Sequence, residues 1–240
     1  MFAFAVAQKM LFEKPITMSK ESKPGENPKN GARPFTGEEL TAIRKATHYK
    51  NSRRQEIDDS HTFLLLRWTG LRVSDAIRLQ WKHVHFGRGN NGEIEILTQK
   101  RSKIAIIPLS TELLEDLEDL RGERKPHSED YVLFNPETRK PFADRANLSR
   151  RAIELCTRAG VDGSAHCFRD TFACDMLARG VDVFPVAKML ADTVETVETH
   201  YAQFVPAARD AVQTKMDSGV GIEEQAKIAS QRGRKVVGIR

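Results

Sequence analysis

Residues 81–108 read WKHVHFGRGNNGEIEILTQKRSKIAIIP. In this stretch the apolar positions recur every second residue, at Ile94 and Ile96 and again from Ile104 to Ile107. Alternation of β-branched residues is the pattern of strands that bury one face. Glycines at 87, 89 and 92 supply turn chemistry between a first and a second strand, and Arg101–Ser102 lies at a second turn. The stretch therefore predicts a small antiparallel sheet of two or three strands. Gly87-Arg-Gly89-Asn-Asn-Gly92 also fits GxGxxG, the dinucleotide fingerprint. That fingerprint has to open a helix, whereas Glu93-Ile-Glu-Ile continues as strand, so the glycines are read as a hairpin turn.

Outward from this sheet the period changes to that of helices. Upstream, Thr36 and Glu39 are spaced as a capping box, and Leu40 and Ile43 begin an apolar stripe. A second helix spans His61–Trp68 and stops at Gly70, with Leu64 and Leu65 too apolar for an exposed face. Downstream of Ser110, Leu113, Leu114, Leu117 and Leu120 share one helical face. Further helices are expected over 144–159 and 166–179, ending at Gly160 and Gly180, and near 183–191, 193–202 and 207–216. The fold class expected is α+β, mainly α-helical, with one small antiparallel sheet.

Residues 18–34 are polar and carry Pro and Gly without apolar periodicity, as a linker does. The stretch after Gly219 holds Lys227, Arg232, Arg234, Lys235 and Arg240 against two glutamates and reads as a basic flexible tail. Over the 240 residues the formal charge is +5, which suits a partner made of phosphate. Cys156, Cys167 and Cys174 show no CxxC spacing, so neither a disulfide framework nor a zinc site is expected, and buried thiols in a reducing cytoplasm are the simpler reading. No stretch reads as a transmembrane span, and Met1–Ala7 lacks the charged start and cleavage site of a signal peptide.

Chemistry concentrates at SAHCFRDTFACDML, residues 164–177, where His166 and Arg169 stand three apart on one helical face. An acid–base group beside a guanidinium fork suits a phosphodiester, although spacing alone is more often that of a surface His beside a surface Arg. Three other elements stand in a fixed order around it. They are Thr69-Gly70-Leu71-Arg72 with Ser74-Asp75-Ala76 and Leu79-Gln80-Trp81, then Thr98-Gln99-Lys100 before Lys103-Ile-Ala-Ile-Ile-Pro108-Leu109, and finally Tyr201 downstream. Together these resemble the first arginine box, the lysine-bearing hairpin, the HxxR box and the nucleophile of the tyrosine recombinase, or phage integrase, family. The resemblance covers about residues 35–217 and implies an integrase-like catalytic domain.

The resemblance implies a role for each residue. Tyr201 would attack the scissile phosphate and form a 3′-phosphotyrosine, conserving the bond energy without ATP. Arg72 and Arg169 would grip the non-bridging oxygens, for which a planar, permanently charged fork is better suited than an ammonium. Lys100 would protonate the departing 5′-oxygen, and His166 would deprotonate or orient the phenol. Asp75 matches an acidic position of the family and would hold Arg72 or His166. Lys103 competes with Lys100, which is favoured because three residues separate it from the Ile-rich strand, as in the family. Tyr49 and Tyr131 do not follow a helix downstream of the HxxR box. No cofactor and no metal are implied. The partner implied is double-stranded DNA, bound by a homo-tetramer.

Two departures from the family stand out. Nine residues before Tyr201 the family usually has His or Trp in a Leu-Gly-His-type motif, and here the segment reads Leu190-Ala191-Asp192-Thr193. Asp192 is expected to accept a hydrogen bond in the pocket, near His166, Arg72 or Arg169. The second departure is architectural, because residues 1–17 look like only the last helix of the family's core-binding domain. A late start, a truncated gene or a partner protein would each account for that. The leading expectation is a site-specific recombinase. Its alternatives are a remnant that binds DNA or integrase subunits without recombining, and a type IB topoisomerase-like activity.

Overall fold

The computed structural model describes residues 33–201. The expected helix over 1–17, nearly all of the linker, the helix at 207–216 and the basic tail lie outside these residues. Helix α1 (Gly37–Lys45) opens with the capping box foreseen: Glu39 N donates to Thr36 Oγ1, and Thr36 N to Glu39 Oε2. Strands β1 (His48–Lys50) and β2 (Glu56–Asp58) then pair antiparallel in a hairpin the sequence did not announce. Its turn has neither Gly nor Pro. Asn51 Oδ1 accepts from the backbone N–H groups of Arg53 and Gln55 instead, with Arg54 at φ 60°.

Helix α2 (Ser60–Thr69) is the centre of the domain, buried at every residue but Ser60 and Trp68. Other elements cover it, so its polar members His61, Thr62, Arg67 and Thr69 are buried along with its leucines. Helix α6 (Ala165–Ala178) packs along it, and the two are tied by an Arg67–Asp175 ion pair. Gly70 ends α2 at φ 58°, the left-handed cap that glycine adopts without steric cost. A one-turn helix α3 (Val73–Ala76) and a 3-10 turn (Trp81–His83) follow, both too short to show a helical period.

The sheet has order β3-β4-β5, from Val84–His85, Glu93–Leu97 and Ile104–Pro108. In its register Ile94 faces Ile107 and Ile96 faces Ala105, all four buried, so the alternation read from sequence is the inward face. Gly87, Gly89 and Gly92 all have positive φ in the β3–β4 turn, as the hairpin reading requires. Helices α4 (Thr111–Arg124), α5 (Arg145–Arg158), α6 (Ala165–Ala178), α7 (Val183–Met189) and α8 (Val194–Tyr201) complete the described chain. Ser110, Asp144 and Ser164 cap α4, α5 and α6 through their side-chain oxygens.

Phe168 of α6 is fully buried, and Phe35 and Phe63 meet it edge-on at 4.9 and 6.0 Å between centroids. The entering chain is pinned to the same helix. Arg33 N donates to Asp170 Oδ2 at 3.0 Å and Phe35 N to Thr171 Oγ1 at 2.8 Å. All three cysteines are buried, and burial pushes Cys156 and Cys174 up to about 12, which keeps both as thiols. Among the described residues no helix is long and apolar enough to cross a membrane.

Candidate active site

Arg72 leads into α3, Lys100 lies in the β4–β5 turn, and His166 and Arg169 lie in the first turns of α6. All four line one open cavity of about 700 Å³, with Arg145 and Ser164 beside them. Residues far apart in sequence thus converge because α2, with its cap at Gly70, holds the chain end carrying Arg72 against α6. The His166 side chain is 72% exposed, whereas that of Arg169 is 4% exposed, so the two share a helical face at different depths.

Arg169 is held on three sides. Its Nη1 donates to the carbonyl of Gly70 at 2.7 Å, and its Nη2 to the carbonyl of Leu190 at 2.9 Å and to Asp192 Oδ2 at 3.1 Å. Arg72 Nη2 donates to the same Oδ2 at 2.5 Å. Arg101 Nη2 stands 2.9 Å from Asp192 Oδ1, which also accepts from Thr193 N. Of the three neighbours expected for Asp192, namely His166, Arg72 and Arg169, its carboxylate accepts from the two arginines. Burial by itself would raise the Asp192 carboxyl, but Arg72, Arg169, the Thr193 N–H and Arg101 outweigh it and hold the group below the usual carboxylate range. Burial, with the neighbouring charge of Arg72, lowers Arg169 from its ordinary value. Among the described residues Arg72 Nη1 is buried without a hydrogen-bond partner, a donor left over at the cavity wall.

Two site residues are arranged otherwise than the sequence led us to expect. Asp75 is buried, but its Oδ1 accepts from the backbone N–H of Gln99 at 2.8 Å instead of holding Arg72 or His166. Helix α3 turns the Asp75 side chain toward the β4–β5 hairpin, so the carboxylate braces the turn that carries Lys100. Tyr201 is buried and is not among the residues lining the cavity. Its hydroxyl donates to Asp170 Oδ1 at 3.0 Å, and His166 Nε2 stands 3.7 Å from the same oxygen. Burial first, and then the Asp170 charge, push the Tyr201 phenol well above its ordinary range.

Sequence reasoning passed over two residues of this constellation, Asp170 and Arg101. Each adjoins a named residue, Arg169 and Lys100, and Asp170 stands at helical i+4 spacing from His166. That spacing is the signal that could have marked Asp170. Nothing comparable in the sequence links Arg101 to Asp192.

The model of the phage integrase family matches residues 33–205. Tyrosine recombinase XerA of Thermococcus onnurineus is 27% identical over 172 residues, covering 72% of this chain and 58% of that protein. Among solved structures, the XerA recombinase crystal structure has a TM-score of 0.57 at 20% identity, covering 81% of this chain and 67% of that one. A lambda integrase tetramer bound to a Holliday junction has a TM-score of 0.56 at 17% identity, covering 85% and 55%. The chain thus spans about half to three fifths of the length of the first curated relatives it matches.

Proposed function

The chain belongs to the phage integrase family, and on that premise we propose that it is a site-specific DNA recombinase acting through a 3′-phosphotyrosine intermediate. The observation that carries the reading is the convergence of Arg72, Lys100, His166 and Arg169 on one cavity from separate elements. In this reading the Tyr201 oxygen attacks the scissile phosphorus as the bond to the 5′-oxygen breaks. Lys100 delivers a proton to that departing oxygen, and His166 takes or steers the phenolic proton. Arg72 and Arg169 neutralise the charge growing on the non-bridging oxygens, where fixed donors are most effective. Arg72 Nη1, buried and unused within the described residues, is a natural donor for one of them.

Asp192 takes part by aligning the two guanidinium groups, since its Oδ2 accepts from both. Asp75 supports Lys100 through the Gln99 N–H. Positive charge comes from arginine and lysine, so the mechanism calls for no metal, and the phosphotyrosine link keeps the bond energy, so it calls for no ATP. The partner is duplex DNA in the cytoplasm. The assembly is a homo-tetramer on two duplexes, by likeness of fold to the lambda integrase tetramer on its junction.

Covalent capture tests the reading. A pool of nicked duplexes of randomised sequence releases the short 5′-hydroxyl strand after attack and so traps the protein–DNA adduct. The wild type is expected to yield an adduct that survives denaturation. Tyr201→Phe should fold and bind DNA but yield none, a loss beyond the roughly 10²–10³-fold of removing one oxyanion donor. An adduct surviving in the Tyr201→Phe variant would overturn the assignment of the nucleophile. Joining of two captured sites, as opposed to relaxation of supercoils alone, separates a recombinase from a topoisomerase.

A further inference from the structure

We propose that Arg101 is the positioning residue for Lys100, and that its ion pair with Asp192 seats the β4–β5 turn at the mouth of the arginine cavity. This rests on Lys100 being the general acid. Past the last ladder pair, Leu97 with Ile104, residues 98–103 are closed by bonds from Thr98 N and Thr98 Oγ1 to the Lys103 carbonyl, both 2.9 Å. Those bonds fix the base of the turn and leave its tip, Lys100 to Ser102, exposed.

Two contacts reach this turn from elsewhere in the fold, and they flank Lys100 in sequence. On one side Gln99 N donates to Asp75 Oδ1 at 2.8 Å, and on the other Arg101 Nη2 stands 2.9 Å from Asp192 Oδ1. The first anchor comes from α3, next to Arg72. The second comes from the α7–α8 loop, whose Asp192 also holds Arg72 and Arg169. Lys100 is therefore suspended between the same two segments that orient the arginines.

The division of the Asp192 oxygens gives Arg101 its separate part. Oδ2 is taken by Arg72 and Arg169, while Oδ1 faces Arg101 and the Thr193 N–H. Arg101 is not needed to satisfy the oxygen that aligns the other two arginines. Its contact adds a link between the lysine-bearing hairpin and the pocket. A proton donor on a free hairpin tip spends most of its time away from the leaving oxygen, and a donor must stand within hydrogen-bond reach to act.

The test replaces the leaving group. Duplexes of randomised sequence are made with either oxygen or sulfur at the 5′-bridging position of one central linkage. A thiol, ordinarily near pKa about 8.5, departs as thiolate and needs no proton from Lys100. Adduct yield is then measured for the full chain and for Lys100→Ala, Arg101→Ala and Arg101→Lys, alongside thermal unfolding of each.

On the oxygen duplex, loss of a positioned acid should cost Lys100→Ala roughly 10²–10⁴-fold, and Arg101→Ala at least about 10-fold. On the sulfur duplex both should recover to near the wild type. Arg101→Lys, which keeps the charge, should retain part of the oxygen-duplex activity. A loss in Arg101→Ala that persists with sulfur while Lys100→Ala recovers overturns this proposal alone, placing Arg101 on the phosphate or in the fold. No loss in Arg101→Ala on oxygen does the same. If sulfur fails to rescue Lys100→Ala, Lys100 is not the acid and both readings fall. Absence of any wild-type adduct overturns the recombinase reading itself.

Discussion

The hydroxyl of Tyr201 donates to Oδ1 of Asp170 at 3.0 Å, one residue along α6 from Arg169. The proposed nucleophile is thus paired with a carboxylate, while the cavity lined by the arginines lies to one side. To reach a phosphate the phenol has to leave this partner, because a carboxylate and a phosphate repel each other. Asp170 is itself held from the opposite side, its Oδ2 accepting from Arg33 N where the described chain begins. The same carboxylate therefore engages both the chain before α1 and the last turn of α8.

Asp170→Asn should loosen that pairing while keeping the side-chain size. Burial raises the Tyr201 phenol and the Asp170 charge raises it further, so removing the charge should bring the phenol part of the way back toward about 10. The ring-carbon NMR signal of Tyr201, identified by its loss in Tyr201→Phe, gives the titration directly. A phenol that titrates no lower in Asp170→Asn would mean that burial alone sets its acidity.

Gly70 carries a second prediction, because it serves backbone and site at once. It sits at φ 58°, and a Cβ there would meet Phe172 Cδ1 at 2.6 Å and Leu190 Cδ2 at 3.0 Å. Its carbonyl accepts from Arg169 Nη1. Left-handed backbone costs a residue with a Cβ about 1–2 kcal/mol, and overpacking adds about 1–3 kcal/mol. Gly70→Ala should therefore lose about 2–5 kcal/mol in urea unfolding and, by shifting that carbonyl, disturb Arg169. A variant within about 0.5 kcal/mol of the wild type would show that the cap can relax at little cost.

What the sequence made legible was whatever is written locally. Helix ends were readable because Gly70, Gly160 and Gly180 occupy positive φ, and Thr36, Ser110 and Asp144 are side-chain caps. The three-stranded sheet was readable because its buried face alternates. The β1–β2 hairpin was not, since Ile57 is the one buried residue in its two strands and Asn51 replaces turn glycine. Arg72, Lys100, His166 and Arg169, which line one cavity, were proposed from the family's boxes, as was Tyr201, which does not line it. The partner of Asp75 was missed because it is a backbone N–H on a hairpin, which no residue identity encodes. Arg101 was missed for a different reason, as its side-chain ion pair spans two loops distant in sequence.

Asp192 gives the last prediction, and here stability and pH are linked. Its side chain is 7% exposed and stands against three arginines, of which Arg169 is 4%, Arg72 16% and Arg101 34% exposed. Breaking a buried ion pair by removing one partner costs about 3–5 kcal/mol, and the water reaching Arg101 and Arg72 reduces that here to about 2–3 kcal/mol. Asp192→Asn should show this deficit at neutral pH. The folded carboxyl titrates below its unfolded value of about 3.9, so its contribution is complete above that pH and disappears as pH falls through the folded pKa. Urea unfolding of wild type and Asp192→Asn should accordingly run parallel from neutral pH down to about 5 and converge below about 4. Curves that stay parallel into acid would mean that Asp192 is not held ionised by the arginines. Asp192→His carries the argument to function: imidazole cannot accept from three guanidinium groups, so adduct formation should fall. An unchanged or higher adduct yield would mean that the position merely supplies a hydrogen bond to the phosphate.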